Sequence, residues 1–191
     1  MRIISGKFKG RRINPPKNLP VRPTTDMSKE SLFNVLNNHF AFDEIKVLDL
    51  FAGTGNLSYE FGSRGSANIT SVDEDFGCIK FIKQTAAEFD FNIAAIKSNV
   101  FTFLERATGA YEVIFADPPY NLEQAKLEKL VITVFEKNLL AEGGMMIIEH
   151  SKHSKLNHMM HFSFQKNYGG SVFSFFEDVT NAEAAETTSE E

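Results

Sequence analysis

Residues 46–176 predict a doubly wound, Rossmann-like α/β sheet that ends in an antiparallel C-terminal hairpin, with a small N-terminal β-hairpin extension before it. Three observations carry this. Apolar runs near 46–51, 68–73, 92–97, 111–117 and 144–149 alternate with helix-compatible segments near 56–64, 76–89, 99–107 and 123–138. The first run enters Gly53-Thr-Gly55, as when a buried parallel strand delivers a glycine turn to a helix N-terminus. After His150 the pattern switches to residues 161–168, a Gly169-Gly170 turn and residues 171–176, which read as two antiparallel strands.

Taken in order, Arg2-Ile-Ile-Ser-Gly-Lys-Phe-Lys-Gly-Arg-Arg-Ile13 alternates apolar and polar residues around two glycines, giving a short hairpin stopped by Pro15, Pro16 and Pro20. Asp26 or Thr25 caps a helix over roughly 27–39, whose apolar stripe is Leu32, Phe33, Val35 and Leu36, with Lys29 and Glu30 placed off it. The last twelve residues hold nothing core-forming beyond alanine and are expected to be a disordered tail. The division is therefore a basic hairpin and connector over 1–25, one α/β domain over 26–178 and an acidic tail over 179–191.

Composition bounds the function. The chain has 191 residues, 42% hydrophobic and 24% charged, which suits one domain with a substantial core and leaves no room for a second catalytic domain. A single cysteine, Cys78, forms no internal disulfide and is read as a small core residue. The first residues lack an apolar signal core and no run is long enough to cross a bilayer, so a cytoplasmic protein with no membrane partner is expected. The net charge of −5 hides a polarity: residues 1–40 balance at +6 and residues 177–191 at −6. A polyanion would meet the molecule at its N-terminal end, with Arg2, Lys7, Lys9, Arg11, Arg12, Arg22 and Lys29 as its contacts. His150, His153, His158 and His161 give two His-x-x-His spacings, but without a cysteine or a geometry that would converge them no metal is expected.

The glycine turn lies beyond the carboxyl end of its strand, where open α/β sheets bind nucleotide-like ligands, and Gly53 and Gly55 let the backbone approach one closely. Ser58 stands where a dinucleotide site has a third glycine, and Asp49 lies inside the strand. A pyrophosphate would be repelled by that acid, whereas the amino group of S-adenosylmethionine would partner it. Twenty residues after Gly53, Asp73 ends the second run and is read as the acceptor for two ribose hydroxyls, or as a helix cap, a task that Asp75 can take instead. Tyr111-Glu-Val-Ile-Phe-Ala-Asp117-Pro118-Pro119-Tyr120 is a buried strand that ends in an acid, two prolines and an aromatic. The prolines freeze the backbone, so the Asp117 side chain and the Pro118 carbonyl become fixed acceptors for an exocyclic amine, and Tyr120 stacks on its base. A Pro-Pro turn that merely ends a strand is the bland alternative.

Asp49-Leu-Phe-Ala-Gly-Thr-Gly55 with Asp117-Pro-Pro-Tyr120 resembles the class I methyltransferases that use S-adenosylmethionine on amines, a motif pair shared by enzymes of adenine N6 and guanine N2. Arg2-Ile-Ile-Ser-Gly-Lys-Phe-Lys-Gly-Arg-Arg-Ile13 with Arg22-Pro-Thr-Thr-Asp-Met-Ser-Lys-Glu-Ser-Leu-Phe-Asn34 is more specific. It resembles the bacterial 16S ribosomal RNA guanine-N2 methyltransferase family, over about residues 1–178. The resemblance implies methyl transfer to one guanine on assembled or partly assembled small-subunit ribosomal RNA; the expected partner is that RNA or the small subunit, and the protein is expected to be a monomer. It also implies Asp49, Phe51, Gly53, Gly55, Asp73, Glu74, Asn99 and Val100 at the cofactor, and Asp117, Pro118, Pro119 and Tyr120 at the reacting base. Two positions depart from the family: Lys29 replaces an arginine, keeping charge but losing a bidentate fork, and Asn99 replaces an acid that reads the adenine amine, leaving its carbonyl to accept that bond. The rivals are an adenine-N6 methyltransferase of DNA or RNA, and a non-catalytic RNA-binding assembly protein.

Overall fold

The computed structural model describes residues 1–17, 19, 25–168 and 170–178; Arg22 and the acidic tail lie outside them. The elements run α1 (Asp26–Leu36), β1 (Lys46–Leu50), α2 (Asn56–Ser63), β2 (Asn68–Asp73), α3 (Phe76–Phe89), β3 (Ile93–Lys97), α4 (Val100–Arg106), β4 (Tyr111–Ala116), α5 (Gln124–Glu136), β5 (Leu140–Ser151), β6 (Phe162–Tyr168) and β7 (Ser171–Glu177). They build one seven-stranded sheet in the order β3-β2-β1-β4-β5-β7-β6. The first five strands are parallel, and β7 and β6 join antiparallel at the β5 side, as the hairpin pattern predicts.

Side chains alternate across the parallel strands and feed two apolar layers. Val47, Val113, Phe115 and Ile147 meet Leu32, Phe33 and Leu36 of α1 and Leu57 and Phe61 of α2. Leu48, Leu50, Ile114 and Ile148 meet Leu104 of α4 and Leu127, Leu130 and Val134 of α5. Each fully buried side chain of this size contributes roughly 1.5–3 kcal/mol, so both faces stabilise the sheet whose strand ends form the site.

Helix starts follow local chemistry. Thr25 caps α1 by accepting from Ser28 N, and Asp75 caps α3 by accepting from Cys78 N. Asp75 therefore takes the capping role, and Asp73 is left for another. Helix α1 stops at Leu36, with residues 37–39 in a turn, shorter than its pattern suggested. Strand β5 is longer than expected because Leu140 already pairs with Tyr111 before an irregularity that absorbs Gly143 and Gly144, which read as a stop in sequence.

The N-terminal arm departs furthest from expectation. Its hairpin is a single bridge, Arg2 to Arg12. Ile3 N donates to Arg11 O at 3.0 Å, Gly10 N to Ile3 O at 2.9 Å and Ile13 N to Met1 O at 3.0 Å across it, but the donors nearer its tip turn to α2: Ile4 N and Ser5 N donate to the Glu60 carboxylate at 2.8 and 3.0 Å. Lys7 N donates to Ser63 O at 2.7 Å and Phe8 N to Ser63 Oγ at 3.0 Å. Ile3 and Ile13 are buried with Tyr59, Ile79 and Ile82, and Phe8 packs edge-on against Phe89 and Phe91. Gly6, at φ 80, lets the arm lie this close, since a Cβ there would sit 1.8 Å from Ser63 O.

Candidate active site

The carboxyl ends of β1 and β4 are the point where the strand order reverses, and a cavity of about 960 Å³ opens above them. One end is lined by Asp73, Glu74, Asn99 and Val100, and the other by Asp117, Pro118, Pro119, Tyr120, Glu149 and Ser171, with Asp49 and Phe51 also on its wall. Met1, Pro15, Thr25 and Met27 supply a rim from the N-terminal side. The two motif sets, some seventy residues apart in sequence, therefore share one chamber large enough for two nucleoside-sized ligands.

The glycine turn is held by the second strand. Asp73 accepts from Gly53 N through Oδ2 and from Asp75 N through Oδ1, both at 2.8 Å. Burial pushes its carboxyl above the ordinary range against the pull of those two N–H groups, and Asp75 and Glu74 raise it further. Phe51 takes left-handed backbone at φ 57, a conformation costly for a residue with a Cβ, in the bend that places its ring 6.5 Å from Phe101. Gly53 at φ 52 and Gly55 at φ 81 complete the bend, and Gly55 precedes the first turn of α2.

Asp49 is only 3% exposed. Its Oδ2 accepts from Ser58 Oγ at 2.5 Å, and Ser58 in turn meets Ser71 Oγ at 2.7 Å. Burial pushes its carboxyl up to about 7, with the Ser58 bonds opposing and the Asp73 charge adding to the rise. A carboxylate held this close to its neutral form, beside the cavity, is a site for a cation. Ser58 was noticed only as a missing glycine; it is the hydroxyl that holds Asp49.

Asn99 corrects its expectation. It caps α4, its Oδ1 accepting from Phe101 N at 3.0 Å and Thr102 N at 3.4 Å, while Nδ2 donates to Glu74 Oε2 at 3.3 Å. Both acceptor positions of the carbonyl are thus spent on the helix, and the amide holds Glu74 at the cavity wall.

At the opposite end, Asp117 N donates to Leu50 O at 3.3 Å, tying the ends of β4 and β1 together. Tyr120 is 43% exposed and its Oη lies 2.6 Å from Ser171 Oγ at the start of β7, which fixes the ring at the cavity mouth. Tyr168, Gly170 and Ser171 of the β6–β7 hairpin line the cavity as well, a contribution that the hairpin pattern alone did not reveal. Glu149 was also missed, although it follows an apolar run with an acid as Asp73 and Asp117 do.

Of the basic residues, Arg2, Lys7, Lys9, Arg11 and Arg12 are exposed on the arm, Arg2 paired with Asp26 at 3.0 Å. Lys29 is not among them. It is 1% exposed, its Nζ donating to Arg2 O and to Asn56 Oδ1 at 2.9 Å and lying 3.5 Å from Glu60 Oε2. Burial lowers its pKa against the raising influence of Glu60. The spacing 29, 32, 33, 36 places Lys29 on the apolar stripe, so its pattern was misread; it anchors the arm and cannot touch RNA. Glu60 holds the same place at 57, 60, 61, 64 of α2 and also receives Arg64 Nε at 2.9 Å.

The family model described as "Conserved hypothetical protein 95" matches residues 1–177. The chain belongs to that family. It is 36% identical over 162 residues to "Putative rRNA methyltransferase YlbH" of Bacillus subtilis (strain 168), covering 82% of this chain and 85% of that protein. It is 31% identical over 150 residues to "Ribosomal RNA small subunit methyltransferase D" of Escherichia coli (strain K12), covering 78% and 74%. The solved structure of "Putative methyltransferase yhhF" from Escherichia coli superposes with a TM-score of 0.81 at 25% identity, over 93% of this chain and 98% of that one. Among the described residues no helix is long and apolar enough to cross a membrane.

Proposed function

We propose that this chain is a cytoplasmic, monomeric S-adenosylmethionine-dependent methyltransferase that modifies the exocyclic N2 of a guanine in small-subunit ribosomal RNA. The observation that carries the reading is the convergence of Asp49 and Asp73 with Asp117, Pro118 and Tyr120 on one cavity at the switch point. The names of the relatives support the substrate class. The residues fit the cofactor: Asp49 answers its ammonium, Asp73 its ribose hydroxyls, and Phe51 and Val100 give apolar walls. When bound, that cofactor supplies an electrophilic methyl group on a sulfonium.

The chain's own task is positioning. Guanine N2 is a poor nucleophile because its lone pair is conjugated with the ring. Accepting its N–H groups with the Asp117 carboxylate and the Pro118 carbonyl turns that lone pair toward the methyl donor, and the Tyr120 ring holds the base plane. Because the donor is already reactive, no strongly shifted acid or base is needed at Asp117. Residues 1–25, with Arg2, Lys7, Lys9, Arg11, Arg12 and Arg22, act as the RNA-holding arm and residues 26–178 as the catalytic domain.

Purified protein with tritiated S-adenosylmethionine, given hypomethylated small subunits, free small-subunit RNA and duplex DNA in parallel, tests this. N2-methylguanosine in ribosomal RNA is the expected product. N6-methyladenosine, or label in DNA alone, overturns the reading.

A further inference from the structure

Resting on the guanine reading above, we propose that Glu149 is the specificity-determining residue of this site, its carboxylate accepting the N1–H of the target guanine beside the N2 amine that Asp117 holds. Strands β4 and β5 are parallel neighbours in which Ala116 is the partner of Ile148. The next residues, Asp117 just past the end of β4 and Glu149 still within β5, therefore lie side by side, about 4.8 Å apart at the backbone. Ile148 belongs to the layer under α5, so Glu149 is turned to the opposite face, where its neighbours Phe115 and Phe173 lie and where the cavity opens. Glu149 is 5% exposed and lines that cavity together with Asp117, Tyr120 and Ser171. Its far neighbour β7 is the strand whose Ser171 fixes Tyr120, so the three groups that would meet a base are set by three adjacent strands, β4, β5 and β7.

The chemistry of this arrangement is selective. An ionised carboxylate only accepts hydrogen bonds, and Asp117 with Glu149 makes two adjacent acceptor groups. The Watson–Crick edge of guanine offers two adjacent donors, N1–H and the N2 amine. Adenine offers one amine beside a ring nitrogen that is itself an acceptor, so its lone pair would face the Glu149 oxygens. Sites that read an extruded base do so along this edge. A pocket built to pair a donor rejects the analogue lacking it far more strongly than a merely apolar pocket does, because a buried polar group is left without that partner.

The test compares guanine with 2-aminopurine, which keeps the exocyclic amine but presents N1 as an acceptor. After the wild-type enzyme has been used to map the modified position, small subunits are reconstituted with guanine or 2-aminopurine there. They are then methylated by wild type, Glu149→Gln and Glu149→Ala. Wild type should prefer guanine by on the order of 100-fold in kcat/KM. Glu149→Gln, whose amide can donate to N1, should slow the guanine reaction and bring the two substrates within a few-fold of one another. Glu149→Ala should lose the preference without any gain on 2-aminopurine. Affinity for S-adenosylhomocysteine should stay within a few-fold of wild type in both variants, which shows that they fold. A guanine preference in Glu149→Gln equal to that of wild type overturns the proposal while leaving the methyltransferase reading intact. A wild-type product other than N2-methylguanosine removes that reading and this proposal with it. If neither variant folds, equal wild-type rates on the two substrates are enough to overturn it.

Discussion

Replacing Asp49 with asparagine should remove a pH dependence of stability that the buried carboxyl imposes. Its carboxyl is raised from 3.8 to about 7 by burial first, with Ser58 opposing. At about 1.36 kcal/mol for each factor of ten in proton affinity, three factors of ten amount to roughly 4 kcal/mol. The folded chain binds this proton more tightly than the unfolded one. The group's favourable contribution is therefore fully present below about pH 4 and is lost as pH rises to about 7. Urea unfolding without cofactor, run at pH 5, 6, 7 and 8, should show wild type losing up to about 1.4 kcal/mol more per pH unit than Asp49→Asn between pH 5 and 7. Groups away from Asp49 titrate alike in both chains, so the difference between the curves reports Asp49 together with its coupling to Asp73. Ligand binding should show the opposite trend, because an ammonium needs the carboxylate. Wild-type affinity for S-adenosylhomocysteine, measured by calorimetry, should rise up to about tenfold per pH unit below pH 7 and then level off. The asparagine variant should bind weakly and without that slope. Parallel stability curves for the two proteins would refute the reasoning, since Asp49 would then be ionised at every pH tested.

Asp117→Ala should lower the methylation rate on the order of 100- to 1,000-fold while cofactor affinity, read by calorimetry, stays near wild type, because the lost group is a preorganised acceptor for the amine. Tyr120→Phe should keep most activity and Tyr120→Ala should not, with about 1–3 kcal/mol at stake in the stacked ring; equal losses would mean that the 2.6 Å contact with Ser171 matters more than the stack. Arg11→Glu with Arg12→Glu should weaken RNA binding and flatten its dependence on salt, because each cation at a phosphate releases counterions, and should leave cofactor binding unchanged.

The fold was legible wherever a run was long and its period clean. Every strand from β1 to β4 lies within a residue of its apolar run; the central strands β1 and β4 are buried on both faces and so mostly apolar, while edge strand β3 keeps Ile93, Ala95 and Ile96 although much of it is exposed. The arm was legible as a hairpin, but its docking was not, because the bonds of its tip go to Glu60 and Ser63, more than fifty residues away, and no local pattern shows that. At the site, acids at strand ends could be read, but their partners could not. Asp49 depends on Ser58 and Ser71, and Asn99 spends its carbonyl on a helix cap. Lys29 is the instructive error: a charged residue was assigned outward by type, although its spacing put it on the buried stripe, where Glu60 receives it.

Charge and shape together explain why the arm should be built onto α2 and not tethered loosely. The cavity wall carries Asp49, Asp73, Asp117 and Glu149, so phosphates are repelled from it, and only an uncharged base, unstacked from its strand, can enter without that penalty. The phosphates must then be held just outside. Met1 and Pro15 of the arm form part of the rim, while Lys7, Lys9, Arg11 and Arg12 stand exposed on the same segment. A flexible basic arm would raise affinity without fixing where the base lands. Glu60 is fully buried and receives Ile4 N, Ser5 N and Arg64 Nε with Lys29 beside it, so the arm is locked to the helix that begins at the glycine turn. The glycine turn at the cavity and the exposed cations of the arm are thus two ends of one packed unit, and on the function proposed above the fold sets the distance between backbone phosphate and reacting base.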